Sequence, residues 1–226
     1  MSDIPAPAKQ SASVAVVRDG THSLEVLMLR RNQKITFHGG DWVFPGGRVD
    51  ACDTHTDADS ELVIARRTAA REALEEAGLE ISVEKMLPFA HWTTPAGLPK
   101  RFATWFFAVA VDADSAVQID NGEIVDHRWL APQAALHLHE EGELSLPAPT
   151  YVTLLGFEKF ANCAALNAHL CDIEIEHFAP RLIKFDGGRC TLYTEDAGYE
   201  TLDMDVPGAR HRVVVHGTKF EYLRDF

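Results

Sequence analysis

One stretch limits the fold more than any other: Glu61 to Leu79 reads ELVIARRTAAREALEEAGL, with Leu62, Ala65, Ala69 and Ala73 recurring every three or four residues. That period belongs to an amphipathic helix, and Val63, Ala70, Leu74 and Ala77 widen its apolar face. The face is built largely of alanine, which suits close packing against a sheet. Gly78 supplies the stop.

The rest of the chain supplies such a sheet. Ala12–Val17 and Leu24–Leu29 read as strands separated by the turn Arg18-Asp19-Gly20-Thr21. Trp42-Val43-Phe44 is a short strand stopped by Pro45-Gly46-Gly47. Residues 31–41 form a polar, glycine-containing loop, and 50–60 form an acidic, solvated one. Further strands are predicted at Met86–Ala90, Phe102–Val111 and Ile124–Leu130, and helices at Pro132–Leu138 and Thr150–His169. Residues 172–226 alternate apolar and polar around Gly187-Gly188 and Pro207-Gly208, as short strands and hairpins do. The organisation expected is a mobile Pro/Ala-rich arm over 1–10, a main domain over 11–171, and a β-rich extension over 172–226 packed on the core.

With 226 residues, 46% of them hydrophobic, the chain can bury a sizeable core. Its 34 acidic against 21 basic residues give a formal charge of −13, so it has no general attraction for nucleic-acid phosphates or anionic lipid. An anionic ligand would need a metal or a local group of cations. Cys52, Cys163, Cys171 and Cys190 are too scattered for a disulfide framework and form no C-x-x-C pair, which predicts free thiols in a reducing compartment. The first residues do not resemble a signal peptide, and no apolar run approaches the ~18 residues of a membrane span, so a cytoplasmic location is expected. Neither a G-x-S-x-G elbow nor a P-loop is present.

Within the alanine-lined helix, Glu72, Glu75 and Glu76 stand at i, i+3 and i+4, which places three carboxylates on one face, their Cβ atoms roughly 5–6 Å apart. Oxygen ligands of this kind suit Mg²⁺ or Mn²⁺ rather than zinc. The Pro-Gly-Gly turn could bring a backbone carbonyl to the same place. Arg71 could hold one carboxylate by a charge-assisted hydrogen bond.

At these residues the chain resembles the Nudix hydrolases, whose box reads G-x5-E-x7-R-E-U-x-E-E-x-G-U, with U aliphatic. Gly47, preceded by Phe44-Pro45-Gly46, matches its start, and Arg71, Glu72, Ala73, Glu75, Glu76, Gly78 and Leu79 match its second half. Gly47 and Arg71 are separated by 23 residues where the box has 13, so ten extra residues sit inside it, in the polar stretch Asp53–Ser60. Counting forward puts Asp53 at the box's first glutamate, counting back puts Val63 there, and Glu61 is the nearest glutamate. The insertion looks similar to that of the peroxisomal CoA and acyl-CoA diphosphatases of animals. Arg31-Asn32, Gly40 and Phe44-Pro45-Gly46-Gly47 follow the spacing of a CoA-associated signature, though Thr36 stands where its second Arg would be.

The resemblance implies an α/β Nudix fold, a mixed β-sheet sandwiched between α-helices, with a small α/β C-terminal extension. It implies metal-dependent hydrolysis of a diphosphate linkage in CoA, acyl-CoA or a similar nucleotide. An ADP-ribose or nucleoside-diphosphate-sugar pyrophosphatase stays open, as does a non-catalytic nucleotide sensor. Glu72, Glu75, Glu76 and the carbonyl of Gly47 would hold Mg²⁺ or Mn²⁺, and Glu72 or Glu123, with Asp126 behind them, would act as base beside Arg71. Arg31 and Lys34 before the box, and Arg101 after the Thr-Thr-Pro turn, could line the cleft, and Trp92 could stack a base. The partner expected is a small nucleotide, with neither nucleic acid nor membrane; a homodimer is a possible assembly.

Overall fold

Strict alternation along the first two strands decides the layering. Strand β1 (Lys9–Asp19) pairs antiparallel with β2 (Leu24–Arg31), and successive side chains of a strand point to opposite faces. Ala15, Val17, Val26 and Met28 enter one apolar cluster, while Ala12, Val14, Val16, Leu27 and Leu29 enter another. With both faces dry, the sheet has to be covered on both sides. The computed structural model, which describes residues 7–226, shows how.

The sheet adds β3 (Trp42–Val43), β4 (Gly46–Arg48), β5 (Leu87–Thr93), β6 (Phe102–Ala110), β7 (Ile124–Leu130) and β8 (Glu176–Phe178). Its order is β3-β2-β1-β6-β5-β8, with β4 also on β1 and β7 also on β2. The β1–β6 and β5–β8 pairs are parallel and the others antiparallel, so the sheet is mixed. Helix α1 (Glu61–Ala77) covers one face. Its Ala65, Ala69, Ala73 and Ala77 are fully buried there, Ser60 caps the Val63 amide, and Gly78 ends it in the left-handed region at φ 68°.

The other face carries α2 (Pro132–Glu140), α3 (Ala148–Phe157) and α4 (Cys163–Asp172). The single helix expected over Thr150–His169 is therefore two. The break lies at Asn162, whose side chain accepts from the Ala165 amide at 2.9 Å while Asp19 accepts from the Cys163 amide at 2.7 Å. Two of the four orphan donors of a new helix start are satisfied there by side chains, so a fresh helix replaces continuation.

The arm expected over 1–10 lies mostly outside the described residues, but Lys9 and Gln10 already belong to β1, in register with Phe102 and Ala103. At the other end, β8 joins the main sheet beside β5, so residues beyond 171 contribute to the central layer. The remainder forms a second antiparallel sheet of β9 (Arg181–Phe185), β10 (Gly188–Leu192), β11 (His211–His216) and β12 (Lys219–Arg224), in the order β12-β11-β10-β9. All regular structure described beyond α4 is strand, which makes the extension β rather than the α/β expected. Val213, Val215 and Tyr193 bury it against the α2–α4 face of the main core.

A buried ion pair fixes this second sheet. Arg212 donates from Nε and Nη2 to the two oxygens of Asp196 at 2.7 and 2.6 Å, and the amides of Gly198 and His211 donate to the same carboxylate. Burial would raise the Asp196 carboxyl, but these donors outweigh it and hold it below its ordinary value of 3.8. A depressed carboxyl contributes stability above its unfolded value and loses it as pH falls through the folded one. Amide hydrogen-exchange protection of β10 and β11 is therefore expected to hold at pH 5 and to fall below pH ~3.8, ahead of β1 and β6.

Candidate active site

The turn after Phe44 places the site. β4 lies antiparallel on β1, with Gly46 opposite Ser13 and Gly47 opposite Ala12. A Cβ on Gly46 would meet the Ala12 carbonyl and the Ser13 backbone, and one on Gly47 would collide with the Glu72 carboxylate. Gly46 needs glycine because β4 is pressed on the backbone of β1, whereas a side chain at Gly47 would displace the Glu72 carboxylate from its place.

The three glutamates of α1 differ in setting. Glu76 is 4% exposed and accepts from the Gly46 amide at 3.0 Å. Its burial pushes the carboxyl up to about 8, the Gly46 bond and Arg31 opposing and the charges of Glu72 and Glu123 adding to the rise. Burial also raises Glu72, against the pull of Arg71. The Glu75 side chain is 57% exposed and is tethered by Arg71 Nη1 at 3.0 Å.

Arg71 holds more than the one carboxylate expected. Its Nε and Nη2 each lie 3.0 Å from an oxygen of Asp53, Nη1 donates to Glu72 and Glu75, and Nη2 also reaches the Arg48 carbonyl at 3.0 Å. Asp53 is buried and accepts further from Thr68 Oγ1 and the Asp50 amide. Burial alone would raise its carboxyl; Arg71, Asp50 and Thr68 hold it low. The solvated loop expected over 50–60 thus begins with a single 3-10 turn, Ala51–Asp53, folded inward by this pair. Of the three residues at or near the box's first glutamate, Asp53 is the one Arg71 holds, whereas Glu61 accepts from Trp105 Nε1 at 2.8 Å. The ten extra residues follow Asp53, where Asp59 accepts from Arg67 and from the His55 and Thr56 amides.

Glu123 is brought to the same place. Asp120 accepts from the amides of Gly122, Glu123 and Ile124, which fixes the turn, and Arg31 then pairs with Glu123 and, at 3.8 Å, with Glu76. Asp126 is in register with Arg30 on β2 and accepts from its neighbouring His127 amide.

A cleft of about 960 Å³ opens over this cluster, lined at one part by Arg31, Gly46, Gly47, Arg48, Glu72 and Glu123. Phe37 and Phe102, with ring centroids 5.1 Å apart, and residues of the second sheet extend its walls. The expected ligand-side residues divide. Arg31 lines the cleft, whereas Lys34 is exposed on its loop and Arg101 donates to the Thr94 carbonyl, neither forming the wall. Trp92 reaches the wall from the core, 5% exposed, with its ring stacked on Phe178 at 3.8 Å. The cleft also gathers residues that the sequence does not single out, among them Phe37, a lone aromatic in a polar loop, Arg48, the cation directly after the glycine turn, and Arg189 of the second sheet.

The side chains that could hold a cation here offer hard oxygens, the carboxylates of Glu72, Glu75 and Glu76. Among the described residues no three carboxylate, imidazole or thiol side chains form a ready cation cage. The buried Glu76, with Arg31 no nearer than 3.8 Å, is the group a cation would best relieve.

The comparisons with known proteins bear on the family and the fold. The family model for the NUDIX domain matches residues 8–148. The chain is 23% identical to the acyl-coenzyme A diphosphatase NUDT19 of Xenopus laevis, over 91% of this chain and 79% of the relative. It is 39% identical to the peroxisomal coenzyme A diphosphatase ndx-8 of Caenorhabditis elegans, over 35% of this chain and 32% of the relative. The chain spans about half the length, 52%, of a further Caenorhabditis elegans relative. Among solved structures, a NUDIX hydrolase from Alicyclobacillus acidocaldarius superposes with a TM-score of 0.65 at 20% identity, over 72% of this chain and 96% of that one, a likeness of fold. No helix among the described residues is long and apolar enough to cross a membrane.

Proposed function

The chain belongs to the Nudix family, and from that membership we propose that it hydrolyses the diphosphate linkage of CoA, acyl-CoA or a similar nucleoside-diphosphate derivative. One observation carries the reading: Glu72 and Glu76 are held against the Gly46-Gly47 backbone, beside the cleft that Glu72 and Glu123 line. The names of the frog and nematode relatives support CoA-type substrates.

A bound Mg²⁺ or Mn²⁺ would neutralise diphosphate charge and lower the pKa of water, with Glu72, Glu75, Glu76 and the Gly47 carbonyl to hold it. The chain's own residues do the positioning. Arg71 fixes the Glu72 and Glu75 rotamers from its anchor on Asp53. Glu123, kept at the cleft by Arg31, is half exposed and free on one side to accept a proton from water; Glu72 is the other candidate base. Arg48, exposed in the cleft, is placed to meet a phosphate oxygen. The four cysteines, all free, support a reducing compartment, of which the cytoplasm is our reading.

The test is a panel of diphosphate compounds with Mg²⁺ or Mn²⁺ and products identified by mass. CoA should yield phosphopantetheine and adenosine 3′,5′-bisphosphate. Release of AMP and a sugar phosphate from ADP-ribose alone would replace the substrate class, and no cleavage of any diphosphate would remove the activity.

A further inference from the structure

The second sheet walls the same cleft, through Leu182, Arg189, Thr191 and Thr218. Alternation along β10 explains which side chains reach it. Cys190 and Leu192 bury in a small cluster on the far face, so Arg189 and Thr191 face the cleft. Arg189 is directly opposite Lys184 of β9, and residues in register across antiparallel strands share a face. Both are exposed, and neither side chain has a hydrogen bond or ion pair among the described residues.

That pairing contrasts with the setting of seven of the chain's other arginines. In a chain of charge −13, Arg18, Arg31, Arg67, Arg71, Arg181, Arg212 and Arg224 all find carboxylates. Two like charges in register repel, and local conflict of this kind marks a place where a ligand supplies what the fold omits. An Arg fork beside a Lys point charge and two threonine hydroxyls matches a phosphate monoester dianion. The scissile diphosphate belongs at the glutamate cluster, so a monoester here would be a second anionic group of the same substrate.

We propose that Arg189 and Lys184, with Thr191 and Thr218, form a subsite for a phosphate monoester that the substrate carries apart from its diphosphate. The proposal rests on the diphosphatase reading and deepens it. It selects nucleotides with an additional ribose phosphate, such as CoA, over ADP-ribose.

Calorimetric binding of adenosine 3′,5′-bisphosphate and of AMP, in Mg²⁺, tests it without turnover. The native chain should prefer the bisphosphate by about tenfold, as one charge-assisted contact gives. Arg189→Ala should erase that preference and leave AMP affinity unchanged, while Arg189→Lys, which keeps the charge and loses the fork, should restore part of it. Hydrolysis of CoA against 3′-dephospho-CoA should show the same change in kcat/KM ratio. No bisphosphate binding, no preference, or a preference that survives Arg189→Ala overturns the subsite. A preference lost in Arg189→Ala by a chain that cleaves no diphosphate upholds the subsite and rejects the activity; cleavage without preference does the reverse.

Discussion

Glu72→Gln and Glu76→Gln are each expected to lower diphosphate turnover by roughly 10²–10⁴-fold with the circular-dichroism spectrum unchanged. Gln keeps the volume of both side chains and an oxygen to accept from Arg71 or the Gly46 amide, so only the charge is lost. Glu75→Gln should cost less, since that side chain is half exposed and lies on the outer side of Arg71. A second readout separates ligation from structure. Mg²⁺ or Mn²⁺ should raise the Tm of the native chain and leave that of Glu76→Gln unmoved. A carboxyl raised from 4.5 to about 8 stabilises the metal-free fold at low pH and progressively loses that contribution as pH rises between the two values. Cation binding has to displace that proton below about 8, so the metal-induced gain should shrink as pH is lowered from 8 to 6. Full turnover in both variants would sink the assignment of this cluster.

Arg71→Ala should damage the fold as well as the chemistry. It leaves Asp53, 3% exposed, without its cation and releases Glu72 and Glu75 together. Removing one partner of a buried pair costs roughly 3–5 kcal/mol, and in a chain of this length about 3 kcal/mol lowers Tm by roughly 6–12 °C. Arg71→Lys restores charge and not the two-pronged contact to Asp53, so its Tm should fall between. Asp53→Asn should reproduce the loss of anchoring while leaving Glu72 and Glu75 on the guanidinium. A differential-scanning melt of Arg71→Ala within about 2 °C of the native chain would show that the pair carries little.

The sequence made the helix that starts at Glu61 and stops at Gly78, and the strand over 124–130, legible because both depend on local pattern, the helix also on its glycine stop. The same holds for the glutamate cluster, whose spacing fixes its face. Contacts distant in sequence were not legible. Asp53 reads as one acid among several in a polar loop until Arg71, eighteen residues later, is seen to bury it. Trp92 reads as an aromatic beside the site, and only the β5–β8 pairing, which sets Trp92 opposite Phe178, draws it into the core. Arg31 and Lys34 look alike as cations before the box; a shift in register at Arg30/Arg31 and the turn at Glu123 select the first. At the break between α3 and α4, the cap on the Ala165 amide comes from Asn162 itself, but the Cys163 amide is met by Asp19, which lies on another element.

Residues 54–59 bridge two pinned points: Asp53 is clamped by the Arg71 guanidinium, and Ser60 caps the next helix. Lengthening a tether whose ends are already secured costs only a logarithmic increment of entropy. Arg67 staples the middle of this excursion, donating both to Asp59 and to the Asp53 carbonyl, so a reporter peptide or an added recognition hairpin is accommodated without retuning the carboxylates only at its exposed tip, Asp57-Ala58.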